Sequence, residues 1–284
     1  MNARPSVMTP AQSPGALLEK LKSPNLPLVM GILNVTPDSF SDGGQFIDPQ
    51  TAISHARQMV EDGADIIDIG AESTRPYGGM QPVSYTEEIK RLSPILGAIV
   101  GLGRPISIDT LKAEIAAWAI DQGAALVNDV WGLQGDPGMA ALVARRRIPV
   151  VCMHNRQSAD PSIDIVADVL TFFGRTLDIA QQAAIARDQV VLDPGIGFGK
   201  TPEQSIACIA QLGAFKKFGL PLLLGASRKR FIASVAPSEP GARLGGSLAS
   251  VLYGADNGAA IVRVHDVAET VQALRVTAAL RGKR

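Results

Sequence analysis

The 284-residue chain sets 27 Lys and Arg against 27 Asp and Glu. With no long basic run, that balance excludes the footprint of a nucleic-acid or anionic-membrane binder and favours a small-molecule partner. The length exceeds the commonest domain size, but one α/β barrel takes about 250 residues, so a single core uses nearly all of it. Cys152 and Cys208 stand far apart in apolar surroundings, the pattern of buried, reduced thiols in a cytoplasmic protein and not of a disulfide framework or zinc site. Residues 1 to 14 carry three prolines and no apolar signal-peptide core, and no apolar stretch is long enough to span a bilayer. The first 25 residues read as a flexible extension and 26–284 as one domain.

In chain order, short apolar runs fall near 28–34, 65–70, 105–109, 125–129, 148–153, 190–193, 221–226 and 260–264. Their continuous apolar character suits parallel strands covered on both faces. Helical patterns separate them. Asp48 is placed to cap a helix that starts at Pro49, and its apolar stripe runs through Ile53, Ala56, Met59, Val60 and Ala64. Further helical stretches cover 84–100, 112–122, 162–187, 202–217, 242–256 and 267–281. A weak repeat, "EDGADIIDIG", "DQGAALVNDV" and "DNGAAIVRVH", marks three helix-to-strand joints at Gly63, Gly123 and Gly258, glycines suited to the left-handed close of a helix. Spacings of 60 and 135 residues correspond to two and four βα units, so these joints precede even-numbered strands. Eight such units predict a (βα)8 TIM barrel; an open doubly wound sheet is the alternative.

Every predicted strand runs out into polar residues: Asn34; Glu72, Thr74 and Arg75; Asp109; Asn128 and Asp129; His154 and Asn155; Asp193; Ser227, Arg228 and Lys229; Arg263, His265 and Asp266. In a parallel barrel all carboxyl ends share one face, so these groups converge on one mouth. Taken singly, each Asp or Asn could cap the next helix, Asp129 and Asp266 above all. Caps do not call for Arg75, Lys229, Arg263 and His265 on the same rim. Four cationic or potentially cationic donors suit a phosphate or carboxylate. Asp109, Asp193 and Asn128 suit a heterocycle edge rich in N–H donors. "GIGFGKT" at 195–201 lacks the first glycine of a nucleotide P-loop, since Pro194 stands in its place. It reads as a tight loop that presents Phe198 and Lys200 at the mouth. "PYGGMQP" at 76–82 reads as a mobile lid or an ordinary connection.

The blocks "MGILNVTPDSFSDGG", "GADIIDIGAESTRP", "ISIDT", "NDVWG", "LDPGIGFGK", "GASRKRF" and "RVHDV" occur in that order from residue 30 to 267. Together they resemble the dihydropteroate synthase family. The resemblance implies a barrel, commonly dimeric, that joins 6-hydroxymethyl-7,8-dihydropterin diphosphate to 4-aminobenzoate, giving 7,8-dihydropteroate and pyrophosphate in folate biosynthesis. By the same resemblance Asp109, Asn128, Asp193 and Lys229 hold the pterin, and Asn34 helps bind Mg2+. Asn34, Thr74, Arg75, Arg263 and His265 take the diphosphate. Phe40, Thr74, Pro76, Phe198, Lys229 and Arg230 form the aminobenzoate side, closed by a lid of Thr36, Pro37, Asp38 and Ser39. Asp109, Asp193, Lys229 and Arg263 carry the catalysis implied for the family, in which diphosphate departs first and the amine then attacks a pterin cation.

The chain departs from the family pattern in two places near the aminobenzoate side. "YGGMQP" is about two residues longer than the commonest loop, and Arg230 stands where many members have Ser. Sulfonamides imitate aminobenzoate in this family. Either the longer lid excludes the bulkier drug, making the protein sulfonamide-insensitive, or it is a lineage feature without effect. Two rival readings are a pterin-dependent methyltransferase barrel, opposed by the "NVTPDSFSD", "SRK" and "RVHD" elements, and a non-catalytic pterin or phosphate binder.

Overall fold

The structure is a computed structural model that describes residues 12–22, 26–36, 48–72 and 83–282. Its eight strands are β1 (Leu28–Asn34), β2 (Ile66–Gly70), β3 (Ile106–Asp109), β4 (Leu126–Asp129), β5 (Val150–Met153), β6 (Val190–Asp193), β7 (Leu222–Leu224) and β8 (Ala259–Val264). Each pairs in parallel with its neighbour, and β8 closes on β1. This is the predicted (βα)8 barrel; the open sheet is excluded. Gly63, Gly123 and Gly258 have φ of 99°, 108° and 98°, and they precede β2, β4 and β8 as the repeat requires. At Gly123 a Cβ would stand 3.0 Å from Val100, so space and φ both select glycine.

Helices surround the strands: α2 (Pro49–Glu61), α3 (Tyr85–Leu92), α4 (Leu96–Val100), α5 (Ala113–Asp121), α6 (Pro137–Arg146), α7 (Ile165–Gln182), α8 (Pro202–Ala210), α9 (Arg230–Val235), α10 (Leu244–Asp256) and α11 (Val267–Leu280). Asp48 caps α2 as expected, its carboxylate accepting from the N–H groups of Gln50 and Thr51. The stretch 84–100 is not one helix. It divides at Ser93–Ile95, where Pro94 has no N–H to continue the ladder. The long pattern at 162–187 yields a helix of 18 residues, opened by the Asp164 cap.

Among the described residues of the expected flexible extension, 14–22 form a helix, α1 (Pro14–Lys22). Leu17 and Leu21, 1% and 4% exposed, join Leu28, Met30, Ile66, Leu126, Val151, Val191, Leu223 and Ile261 in one apolar cluster. These strand residues point into the barrel near its amino-terminal end, so α1 plugs that opening. The outward set, among them Val29, Ile67, Ile69, Val127, Val150, Leu192 and Val262, packs against the helices as a second cluster. Alternation therefore runs along every strand even where composition is uniformly apolar. Among the described residues no helix is long and apolar enough to cross a membrane.

Candidate active site

Following the inward positions toward the carboxyl ends, the apolar filling gives way to charge. The register sets Ile32 beside Asp68, Asp68 beside Ser107, Asp109 beside Asn128, and Met153 beside Asp193. Arg263 on β8 lies beside Met30. Two inward positions carry no side chain: a Cβ on Gly70 would meet only Asp109 at 3.4 Å, and one on Gly225 nothing closer than the Lys229 Nζ at 3.8 Å. The glycines leave room where the charged groups converge.

Arg263, 16% exposed, donates from Nε to Asp68 Oδ2 at 2.6 Å and from Nη2 to Asp109 Oδ2 at 2.8 Å. Three of its five N–H donors remain for a ligand. Asn128 Nδ2 also donates to Asp68 Oδ2, at 3.2 Å. Asp68 is fully buried. The motif reading passed over this residue, although a carboxylate inside the apolar run "IIDIG" was the signal. The other oxygens, Asp68 Oδ1 and Asp109 Oδ1, are buried with no hydrogen-bond partner, as is Ser107 Oγ. Buried acceptors without partners are costly, and here they ask for a ligand's donors.

Burial lifts the Asp109 carboxyl to about 7, partly offset by Arg263 and reinforced by Asp68, Asp129 and Asp193. Burial also raises Asp193, against the pull of Lys229, the Gly195 N–H, Lys200 and Arg263. Asp193 Oδ1 accepts from that N–H at 2.7 Å. Asp109, Asp193 and Arg263 thus share one electrostatic neighbourhood, though they come from β3, β6 and β8.

Lys229 reaches the site because of a strained turn. Arg228 holds φ of 56°, a left-handed conformation that costs a non-glycine about 1 kcal/mol or more. Three contacts hold it. Its N–H donates to Ser247 Oγ at 2.9 Å, its carbonyl accepts from Arg243 Nη1 at 2.9 Å, and its guanidinium pairs with Asp266. The turn sends Arg228 outward to Asp266 and Lys229 inward, where Nζ donates to the Ile196 carbonyl and lies 4.8 Å from the centroid of the Phe198 ring. Burial pushes the Lys229 ammonium down to about 7, with Asp193 opposing. Asp266 is therefore no simple cap: its side chain makes no capping bond at α11 and takes Arg228 instead. Asp129 is structural, accepting from the N–H groups of Trp131 and Leu133 at 2.9 and 2.6 Å.

His265 completes the β8 side, with Nδ1 3.0 Å from Ser227 Oγ. Arg230 is exposed at the start of α9. Thr36 and Asn34 stand at the end of β1, Asn34 half-buried and Thr36 buried. Glu72 proves to be a clamp: it accepts from the Val83 N–H at 2.9 Å and from Lys112 at 2.8 Å. Lys200 is not at the mouth as expected. It is 2% exposed and bonded to His154. Pro37, Asp38, Ser39, Phe40, Thr74, Arg75 and Pro76 lie outside the described residues. No group of three or more His, Cys, Asp or Glu among the described residues forms a metal cage. Asn34 offers one hard amide oxygen at the end of β1.

Three comparisons bear on this arrangement. The pterin binding enzyme family matches residues 30–265. The dihydropteroate synthase of Bacillus subtilis (strain 168) is 44% identical over 271 residues, 95% of this chain and 93% of its own. Among solved structures, the Xanthomonas albilineans dihydropteroate synthase with 4-aminobenzoic acid superposes with a TM-score of 0.86 at 42% identity, covering 91% of this chain and 94% of that one. The Yersinia pestis dihydropteroate synthase with a sulfonamide drug complex gives 0.84 at 39% identity, covering 92% and 96%. A barrel whose mouth joins orphaned carboxylates to buried cations, at this identity across nearly its whole length, belongs to the pterin-binding enzymes and, within them, to the dihydropteroate synthases.

Proposed function

We propose that the chain condenses 6-hydroxymethyl-7,8-dihydropterin diphosphate with 4-aminobenzoate to give 7,8-dihydropteroate and pyrophosphate. The observation that carries the reading is the pair of unpartnered oxygens on Asp68 and Asp109, in a site that also holds Asn128, Lys229 and the Arg263 bonded to both carboxylates. An aminopyrimidine edge supplies the donors that the carboxylates lack, and an amide and an ammonium supply those its carbonyl needs. Asp109, Asn128, Asp193 and Lys229 take the pterin. Arg263, His265 and Asn34 face the diphosphate. Phe198, Lys229 and Arg230 border the aminobenzoate.

Charge placement then gives the order of events. The C–O bond to diphosphate breaks with its electron pair on oxygen, toward Arg263 and His265. The methylene cation delocalises into the pterin, beside Asp109 and Asp193. The amine lone pair forms the new C–N bond and one amine proton is released, so no electrons are gained or lost overall. Charges already held in place, Arg263 toward the departing oxygens and Asp109 and Asp193 along the ring, need no reorganisation during the reaction, and the residues act by positioning and electrostatics. Bound at Asn34, Mg2+ would neutralise charge on the diphosphate oxygens. No covalent intermediate on the protein is required.

Sustained pyrophosphate release is expected only with both substrates present and to fall at least tenfold when Mg2+ is chelated. Methyl transfer to a corrinoid, or binding without pyrophosphate release, would replace this reading with one of its two rivals. We propose further that sulfonamides compete for the aminobenzoate side. A sulfathiazole inhibition curve that moves in proportion to added 4-aminobenzoate supports this; a flat curve assigns drug exclusion to the departures at 76–82 and Arg230. A homodimer is the expected assembly, and α10 and α11 leave Tyr253, Val276 and Leu280 exposed on the outer surface.

A further inference from the structure

The stretch "GIGFGKT" has no helix or strand to satisfy its backbone. Gly195, Gly197 and Gly199 hold φ of 64°, 79° and 55°. A Cβ on Gly195 would stand 1.9 Å from the His154 carbonyl, and one on Gly199 2.4 Å from Arg156. The loop is therefore folded hard against the segment that follows β5. Within it the Phe198 N–H donates to the Gly195 carbonyl at 3.1 Å, and the Lys200 side chain supplies further donors to the loop carbonyls. Its Nζ donates to Gly195 O at 2.9 Å and Phe198 O at 3.1 Å, and meets His154 Nδ1 at 2.7 Å. These three acceptors match the three N–H bonds of an ammonium.

The chain of contacts continues outward. With Nδ1 accepting from Lys200, His154 carries its proton on Nε2, which donates to Asp168 Oδ2 at 3.0 Å. Asp168, in the first turn of α7, also takes Arg156 Nη1 at 2.9 Å. His154 is fully buried, with its ring edge-on to Phe172 at 4.9 Å. Burial and the Lys200 charge push His154 down to about 3, and burial pushes Lys200 down to about 8. Cys208, Asp193, Asp168 and Arg156 are the other ionisable groups facing Lys200. At the loop's other side, the Ile196 carbonyl receives Lys229 and the Phe198 ring lies beneath the same ammonium.

We propose that Lys200 is the positioning residue for the aminobenzoate side of the site. Anchored by His154 and Asp168, it fixes loop 195–199, and the loop in turn places the Lys229 ammonium and the Phe198 ring. The proposal rests on the function given above. Lys200 touches no reacting atom, so its loss acts through geometry. The pterin keeps Asp109 and Asn128, which Lys200 does not contact, and shares with the loop only Lys229 and the Gly195 N–H bond to Asp193, whereas the aminobenzoate side loses the support of both Phe198 and Lys229.

Lys200→Met keeps the aliphatic stem and removes the three donors. In the full-length protein, the KM for 4-aminobenzoate is expected to rise at least tenfold, and at least threefold more than the affinity for the pterin diphosphate, titrated alone, is weakened. Asp168→Asn, at the exposed end of the chain of contacts, is expected to give a smaller change with the same split. Equal losses for both substrates, or none, overturn the proposal. A second readout does not use activity. In 15N-histidine spectra of the wild-type protein, which has three histidines, His154 is expected to keep Nδ1 unprotonated from pH 5.5 to 9. Titration of His154 near the ordinary imidazole pKa overturns the anchor. Wild-type protein that releases no pyrophosphate refutes the function above; active wild type with an unaffected Lys200→Met variant refutes this inference alone.

Discussion

Arg263→Ala is expected to lower kcat/KM for pyrophosphate release by at least about 150-fold, equivalent to about 3 kcal/mol of transition-state stabilisation. Arg263 is bonded to two buried carboxylates, Asp68 and Asp109, so its removal also leaves buried negative charge without compensation, a change that costs about 3–5 kcal/mol of stability. The two losses can be separated. Asp68→Asn removes the deeper of the two charges and can keep a hydrogen bond to Asn128, so the double variant Arg263→Ala, Asp68→Asn is expected to recover most of the stability in urea melts. Activity is expected to stay low, because the cation proposed to face the departing diphosphate is still missing. Normal turnover by the single variant, or restored turnover in the double variant, would remove Arg263 from the chemistry and leave it as a structural counter-ion.

The eight strands were legible to within a residue or two because a barrel strand covered on both faces must be apolar along its whole length, and the glycines at 63, 123 and 258 mark where each preceding helix must stop. The inside of the barrel was harder to read. Along "IIDIG" only the phase of the alternation shows that Ile67 and Ile69 face helices while Ile66 and Asp68 face inward, and composition does not carry that phase. Asp68 therefore escaped notice, though it holds both Arg263 and Asn128. Lys200 escaped for a different reason. Two of its acceptors, at 195 and 198, lie close in sequence, but the third, His154, comes from the segment just after β5, 46 residues away, and only the fold brings it to the ammonium. Asp266 matched a helix cap in the sequence, yet the left-handed Arg228 turn brought it a guanidinium, which outbid the backbone. The cap of α6 was readable in Asp136 and Pro137, but the ten-residue helix between two close strands was not among the predicted stretches.

Asp109→Ala is expected to reduce kcat/KM by at least about 150-fold as well, again about 3 kcal/mol, since it removes both the proposed acceptor for the pterin edge and a proposed stabiliser of the developing cation. Its effect on stability should run the other way with pH. In the folded protein burial holds the Asp109 carboxyl near 7, against an ordinary value of 3.8. Between those limits the folded state keeps a proton that the unfolded chain has released. The wild-type carboxyl thus contributes its full stability below about pH 4 and loses it as pH rises through 7, at up to about 1.4 kcal/mol per pH unit. The alanine variant has no such group. Thermal melts from pH 5 to 8 should show the wild type's advantage over the variant shrinking as pH rises. If the difference stays constant, Asp109 is ionised throughout and Arg263 neutralises it fully. Shrinkage instead means that Asp109 is strained by its own buried charge near neutral pH, a strain that the donors of a bound pterin would relieve. The same strained carboxylate is then most strongly stabilised when the neighbouring ring turns cationic, which ties the cost of the unliganded site to the rate of the reaction.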